Sequence, residues 1–270
     1  MSKSWLEQHD EDTRNAFRSK AFDVSSVAPP TELHKASRKS KSITLKSSIT
    51  GGVAQDLDVN TWLPLAAPVY NISPDIRDYV IVPIPAVITN IPNTNGDSFS
   101  TSEMLKFQPK HGMPSYKTFK GKPTFYEHDN KDHTKAKGII FDSYMQDLPR
   151  FPGFARVTQL LGFDRTRDPE IANAILNNKA NTYSIGVWFS AFTCSICGHT
   201  VHQKTMQMCN HTNPRTPTFM TNDGRLGYRQ CHNLTGFECS FVWDPAFVSA
   251  HHNRNQVLDV QSMVRNKKWT

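Results

Sequence analysis

The sequence predicts an α+β fold: a mainly antiparallel β body with packed helices and a small Cys/His insertion. Two observations support this. Apolar or alternating segments of strand length are separated by turn-rich loops, and one segment carries a full set of helix-start signals. With 37% apolar residues, the 270-residue chain can pack one body only if part of it stays polar and peripheral. We therefore expect a polar N-terminal arm over residues 1–57, a folded body over 58–252 and a basic tail over 253–270.

Strand-forming segments account for most of the predicted body. Tyr79–Ile88 is apolar and β-branched, and Pro83 and Pro85 within it indicate an edge or bulged strand, because proline has no backbone donor for a ladder. The other predicted strands are Thr124–His128, Gly138–Tyr144, Phe154–Leu161, Tyr183–Phe192 and Leu234–Trp243. We expect the last two of these strands to pair with each other.

Helix signals are clearest over Arg167–Lys179. Asp168 suits the N-cap and Pro169 the first helical position, and an apolar stripe begins at Ile171. A second, short helix is predicted around Glu11–Lys20, within the arm. Both helices are short, so the body remains mainly β.

Charge and hydropathy exclude several classes. Of the net charge of +7, most lies in the ends: residues 1–50 carry nine basic against six acidic residues, and residues 253–270 carry four against one. Because the body lacks a basic excess, nucleic acid is not an expected partner. The chain has no apolar run long enough for a membrane span and no apolar segment typical of a secretory signal, so we expect a cytosolic protein without a membrane partner.

Three short signatures could carry chemistry: Gly121–Asp129 (GKPTFYEHD), Asn181–Gly186 (NTYSIG) and Gly236–Ala246 (GFECSFVWDPA). They supply an imidazole, a hydroxyl and a carboxylate on separate elements, which is the set that nucleophilic acyl transfer needs. The hypothesis requires folding to bring the Ser184 hydroxyl within a hydrogen bond of the His128 ring. Taken singly, each signature is common in proteins of any function.

In this order, and together with Gly138–Asp142 and Asp168–Ala172, the three signatures resemble the prohead (capsid-maturation) proteases of large tailed bacteriophages. Those proteases are serine endopeptidases related in fold to herpesvirus assemblin, so the resemblance, over about residues 70–250, implies an assemblin-like barrel. Carried over residue by residue, it implies Ser184 as nucleophile, His128 as general base and Glu238 as the orienting partner of the histidine. Asp129 and Asp142 remain alternatives for this last role.

The same resemblance implies partners and a location. The substrates would be phage scaffold or core proteins, the major capsid protein and the protease itself. The site of action would be the immature prohead in the host cytoplasm, and self-association into a homo-oligomer is expected. No cofactor is expected for catalysis.

The cysteines predict a separate metal site. Cys194 and Cys197 form a CxxC knuckle, and Cys209 and His211 follow after an eleven-residue gap, a ligand set that suits tetrahedral zinc. Four protein ligands leave no open position for water, so the zinc would be structural and would brace an insertion over about residues 193–232. Residues that could replace one ligand are Cys231, His199, His202 and His232. Free buried cysteines are the competing interpretation.

Other classes stay open or are disfavoured. A zinc-stabilised, non-catalytic capsid-assembly or nucleic-acid-binding protein would explain the Cys/His segment and the basic ends. A zinc hydrolase is disfavoured, because the chain has no HExxH motif and its candidate ligands are rich in cysteine. A Cys–His protease built on Cys209 or Cys239 has no supporting signature.

Overall fold

The computed structural model describes residues 43–45, 55–57, 59–205, 207–211, 219–221 and 223–265. Most of the predicted arm, including the predicted helix Glu11–Lys20, lies outside the described residues. The strands are β1 (Ile43–Leu45), β2 (Gln55–Leu57), β3 (Tyr79–Ile88), β4 (Asp97–Phe99), β5 (Phe107–Gln108), β6 (Met113–Pro114), β7 (Pro123–Thr124), β8 (Gly138–Asp147), β9 (Ala155–Asp164), β10 (Tyr183–Trp188), β11 (Ala191–Cys194), β12 (Thr200–His202), β13 (Phe219–Met220), β14 (Leu226–Gly227), β15 (Arg229–His232), β16 (Thr235–Phe241) and β17 (Leu258–Asp259). The α-helices are α1 (Leu63–Tyr70), α2 (Thr101–Leu105), α3 (Pro169–Leu176) and α4 (Val260–Arg265).

A five-stranded antiparallel sheet with the order β17-β3-β9-β8-β7 forms the centre of the body. β17 pairs with β3 at Val80 and Ile81, and among the described residues no other strand pairs with that edge of β3 at Pro83 and Pro85. The pairing of β3 with β9 shifts register between Pro85 and Val87. The prediction of an edge or bulged strand is therefore confirmed, and the prolines lie where no ladder donor is required.

The central sheet is covered on both faces. Because side chains alternate along a strand, Val80 and Val82 point into one core while Tyr79 and Ile81 point into the other. The first core lies against α3, β10 and β16. The second is closed by α1 and by residues of β17 and α4, so Leu258 and Val260, which we placed in the tail, contribute to a core.

The candidate site depends on a smaller, two-stranded unit. β10 and β16 pair antiparallel, and β16 is joined to the polypeptide after β7 by a parallel bridge between Tyr126 and Phe241. The backbone on either side of this bridge is bonded as well: Phe241 N donates to Phe125 O at 3.0 Å and Glu127 N donates to Phe241 O at 2.9 Å. The segment that leads to His128 thus runs alongside β16.

Two predicted strands are wrong at one end. The strand predicted over Tyr183–Phe192 breaks at 189–190, and β11 joins a different sheet with the order β12-β11-β15-β4. In that sheet β15 and β4 are parallel. The strand predicted over Thr124–His128 ends at Thr124, and His128 lies in a turn. Local patterns do not separate these cases, because the break and the turn depend on which strand each segment meets.

The predicted helix is confirmed as α3. Asp168 is its N-cap, with Oδ1 accepting the backbone N–H of Ile171 at 3.0 Å, and Pro169 is the first helical residue. Ala172 and Ile175 are buried against the sheet. No helix among the described residues has both the length and the apolar character needed to cross a membrane.

The class predicted from the sequence, α+β with mostly antiparallel sheets, is confirmed. Within the described ranges the sheets do not close into a barrel. The finer likeness to the assemblin barrel stays a prediction.

Candidate active site

An imidazole and a fully buried carboxylate form the centre of the site. His128 Nδ1 lies 2.7 Å from Glu238 Oε1. The Glu238 side chain is 0% exposed, whereas that of His128 is 38% exposed. This short distance is typical of a charge-assisted hydrogen bond. With Nδ1 directed at the carboxylate, Nε2 is the ring nitrogen that would accept a proton from a substrate-side group.

A strained turn carries His128. Asp129 N donates to Tyr126 O at 3.0 Å, which closes a four-residue turn. The two central residues, Glu127 and His128, have φ of 48° and 54°, the signs of a type I′ turn. This left-handed region costs about 1–2 kcal/mol per non-glycine residue. Backbone strain of this kind is concentrated at functional sites. In this turn the left-handed conformation directs the imidazole toward β16.

The Glu238 carboxylate is also held from the other side. Ser240, two residues further along β16, donates its hydroxyl to Glu238 Oε2. Gly186 of β10 lies directly across from Glu238, and a Cβ at that position would overlap Oε1. The structure shows that the missing side chain of Gly186 makes room for the carboxylate.

Ser184 lies on the same sheet face as this pair. It is directly across from Ser240, so the two Cβ atoms are about 5 Å apart, and Glu238 is its diagonal neighbour at about 7 Å. The residue is buried but retains 8% exposure. The face assignment of Ser184 and Gly186 together with Glu238 and Ser240 agrees with the sequence alternation.

The expected hydrogen bond between Ser184 and His128 is absent: the Ser184 hydroxyl makes no hydrogen bond to any described residue. The physical reason is the register. Glu238, to which His128 is bound, lies across from Gly186 and not from Ser184, so the ring is offset by one diagonal step. Catalytic hydrogen bonds are often long in a substrate-free enzyme and tighten only in the complex. Ser184 and Glu238 share one sheet face, and no hydrogen bond joins Ser184 to His128.

The two alternative carboxylates are engaged elsewhere. Asp129 pairs with Lys135 at 3.3 Å, and Asp142 pairs with Lys117 at 2.9 Å. Of the three carboxylates considered from the sequence, the structure brings Glu238 to the His128 ring.

An open cavity of about 220 Å³ adjoins the His128 turn. It is lined by Tyr126, Asp129, Lys135, Lys137 and Arg167. Its positive charge is partly neutralised, because Lys135 pairs with Asp129 and Lys137 pairs with Asp168 at 2.8 Å. His128, Ser184 and Glu238 are not among its lining residues, so the cavity neighbours the turn and does not enclose the candidate catalytic groups.

The structure contains a second acid–imidazole–hydroxyl row, which the sequence did not indicate. His232 Nδ1 lies 3.4 Å from Glu103 Oε1, and His232 Nε2 lies 2.8 Å from Thr193 Oγ1. The first distance is at the outer limit for a hydrogen bond. Thr193 lies on β11, which is paired on both sides, and its hydroxyl also contacts Thr200 at 2.9 Å. This row is a polar sheet face, and it supplies an internal comparison for the His128 pair.

Cys239 does not fit the role of nucleophile. It lies on the face of β16 opposite Glu238 and is 0% exposed. Burial, and to a smaller extent the Glu238 charge, raises the pKa of the Cys239 thiol well above its usual range. A thiol held in the neutral form is a poor nucleophile.

The predicted metal ligands come together. The ligand atoms of Cys194, Cys197, Cys209 and His211 all lie within 4.8 Å of one another, and the four could hold a metal ion. Two local observations fit a cation. Ile196 N points to Cys194 Sγ at 3.4 Å, which would stabilise a thiolate, and His211 Nδ1 is buried without a hydrogen-bond partner among the described residues.

Three of the alternative ligands make other contacts. Cys231 is buried, with its sulfur 3.5 Å from Asp97 Oδ1. His199 Nε2 lies 2.8 Å from Gln207 O, and His232 belongs to the Glu103 row. The cluster therefore has the membership that the CxxC and CNH spacing predicted.

Comparison of the chain with protein-family models, with curated proteins and with solved structures found no match.

Proposed function

We propose that this protein is a serine endopeptidase that matures viral proheads by cleaving scaffold and capsid precursor proteins and itself. The observation that carries the chemistry is the 2.7 Å contact of His128 with the buried carboxylate of Glu238, on the sheet face that presents Ser184. The prohead setting, the host cytoplasm and the expected homo-oligomer come from the sequence resemblance.

In the proposed acylation step, the Ser184 oxygen attacks the carbonyl carbon of a peptide bond. His128 Nε2 takes the hydroxyl proton, and Glu238 stabilises the imidazolium through Nδ1. The C–N bond then breaks, and His128 returns the proton to the departing amine. An acyl ester on Ser184 and a free amino terminus result.

Deacylation repeats the sequence with water. His128 accepts a proton from a water molecule as its oxygen attacks the ester carbonyl, and returns that proton to the Ser184 oxygen as the ester bond breaks. The products are a carboxyl terminus and the original hydroxyl. The chemistry requires Ser184 to move by a small rotamer or strand adjustment toward the ring, which the substrate complex would stabilise.

The direct test is covalent labelling. We expect a fluorophosphonate to label the full-length protein at Ser184, with the adduct located by peptide mass spectrometry. Ser184→Ala should abolish both labelling and the processing of a co-expressed capsid precursor, without changing the thermal unfolding midpoint. Processing that persists in folded Ser184→Ala would overturn the proposal.

The second row supplies the matched control. His128→Ala should eliminate labelling, whereas His232→Ala removes an imidazole that also contacts a glutamate and should leave labelling intact. The reverse pattern would move the chemistry to Thr193 and Glu103.

We further propose that the metal is zinc and that its role is structural. Three thiolates and one imidazole are typical of closed zinc sites, which leave no position for a water nucleophile. The ligands link the end of β11 to the segment after β12, a region of the chain rich in polar residues. Metal binding would supply the stability that apolar burial does not provide there.

A zinc-stabilised binding module without catalytic activity is the second candidate. The observation that favours it is the four-ligand cluster, which needs no active site to explain it. If this candidate is correct, wild-type protein should bind DNA with an affinity that falls steeply with salt, and should show no labelling at Ser184.

A further inference from the structure

Ser240 lies on β16 two residues after Glu238 and directly across from Ser184. We propose that Ser240 is a positioning residue, which fixes the Glu238 carboxylate so that Glu238 can orient His128; this inference rests on the proposed function. Its hydroxyl donates to Glu238 Oε2, while Oε1 meets His128 Nδ1. The two carboxylate oxygens are thus divided between two donors: Oε2 is bound by Ser240 of strand β16, and Oε1 by His128 of the turn.

Burial makes this division necessary. Glu238 and Ser240 are both 0% exposed. A buried carboxylate is costly unless its oxygens are hydrogen-bonded. Within the described residues, the Glu238 side chain is hydrogen-bonded to Ser240 and His128. Removing the Ser240 hydroxyl would leave Oε2 buried without a donor, and the carboxylate would then rotate to share one partner between two oxygens.

Local geometry determines which way the carboxylate can turn. Glu238 and Ser240 are i and i+2 on one strand, so their side chains project from the same face. Gly186 contributes no side chain on this face to hold the carboxylate in place, since Oε1 lies where its Cβ would be. The Ser240 hydrogen bond is therefore what holds the carboxylate in the orientation that receives His128 Nδ1.

Ser240 is itself unsuited to be the nucleophile, although it faces Ser184 directly across the two strands. Its hydroxyl proton is committed to Glu238 and its side chain is fully buried, whereas Ser184 retains some exposure. The two serines thus have different roles: Ser184 faces the substrate, and Ser240 supports the carboxylate.

The test is Ser240→Ala in the full-length protein, with two readouts. The first is the rate of fluorophosphonate labelling at Ser184, which should fall about 10- to 100-fold, by analogy with residues that orient metal-ligating side chains. The second is the downfield ¹H NMR signal of the His128 Nδ1 proton, assigned by its loss in His128→Ala. That signal should broaden or move upfield in Ser240→Ala, which a merely structural serine would not cause.

Three further variants complete the design. Ser143→Ala is the matched control, because it removes a buried serine hydroxyl that has no partner among the described residues, and it should leave both readouts unchanged. Ser240→Thr retains the donor and should keep the wild-type NMR signal. If Ser240→Ala does not fold, Ser240→Cys is used instead, since it preserves volume with a weaker donor, and both readouts should change in the same direction by a smaller amount.

The outcomes separate the two proposals. If wild-type protein is labelled at Ser184, and Ser240→Ala (or Ser240→Cys) has the same labelling rate and NMR signal, the positioning role alone is overturned. Wild-type protein that is not labelled at Ser184 overturns the proposed function, and the positioning role with it.

Discussion

Gly186 lies directly across the β10–β16 pair from Glu238, and a Cβ at Gly186 would overlap the carboxylate oxygen that binds His128. The backbone of Gly186 has no unusual conformation that would itself require glycine. A Cβ there would also overlap the Phe237 ring, so the glycine is explained by the space that Glu238 and Phe237 occupy. Because Gly186 carries a hydrogen where alanine would carry a methyl group, the packing of β10 against β16 leaves room for the carboxylate that binds His128.

Gly186→Ala should displace the Glu238 carboxylate. We expect labelling at Ser184 to fall at least about tenfold and the free energy of unfolding to drop by about 1–3 kcal/mol, the usual cost of overpacking. Gly236→Ala is the comparison, because Gly236 lies on the same strand pair and its Cβ would overlap the Phe119 ring instead. It should cost similar stability with the labelling rate of the folded protein preserved. Equal losses of labelling in both variants would contradict this account.

Glu238→Gln should preserve the fold and eliminate most activity. The amide keeps the size of the side chain but loses the charge that favours the imidazolium, and its NH₂ group can force the wrong histidine tautomer. We expect the labelling rate to fall by about 10³- to 10⁴-fold, as for the equivalent change in a serine-protease triad. Glu103→Gln, beside His232, is the control and should be nearly neutral. Substantial activity in Glu238→Gln would assign the carboxylate a structural role.

Replacement of His128 should separate strain from function. His128→Ala and His128→Gly both remove the imidazole and should both be inactive. Because φ is 54° at this position, glycine relieves a strain that alanine retains, so His128→Gly should be more stable by about 1 kcal/mol. Urea denaturation of the two variants measures the difference. A less stable glycine variant would show that the turn is not strained.

Metal removal should destabilise the segment around β11 and β12. We expect purified protein to contain about one zinc per chain, and a chelator to lower the thermal midpoint. Cys197→Ser should lose the metal, whereas His202→Ala, an exposed residue outside the cluster, should retain it. The readouts are metal analysis and calorimetry. A metal-free native protein whose midpoint is insensitive to chelator would favour the interpretation as free cysteines.

Stability should fall in mild acid because of His252. Burial, aided by the nearby His251, lowers the pKa of His252 to about 4, and its Nδ1 lies 2.7 Å from the buried Tyr183 hydroxyl. An unfolded chain protonates this histidine near pH 6.5. Between about pH 6.5 and 4 the unfolded state therefore binds a proton that the folded state does not, so the free energy of unfolding decreases as pH falls.

The size of this effect is at most about 3 kcal/mol. Urea titrations at pH 7.5 and 4.5 measure it, and the difference between wild type and His252→Gln isolates the contribution of His252 from other acid effects. Above pH 7 His252 should contribute no pH dependence. An equal acid response in the variant would show that His252 is not responsible.

Local patterns in the sequence are enough to place the candidate groups on their elements. The alternation in β16 puts Glu238 and Ser240 on one face, and the alternation in β10 does the same for Ser184 and Gly186. The CxxC spacing likewise brings Cys194 and Cys197 together within one tight turn. These features follow from neighbours a few residues apart, so no long-range contact is needed to predict them.

Only the tertiary structure decides which of these groups meet. The choice of Glu238 over Asp129 and Asp142 depends on a parallel bridge between segments more than a hundred residues apart, which no local pattern encodes. The same long-range register leaves Ser184 one diagonal step from Glu238, the residue that binds the His128 ring. Sequence periodicity specifies the face of a strand, whereas register along a partner strand is set by packing of the whole core, and the geometry of a catalytic site depends on that register.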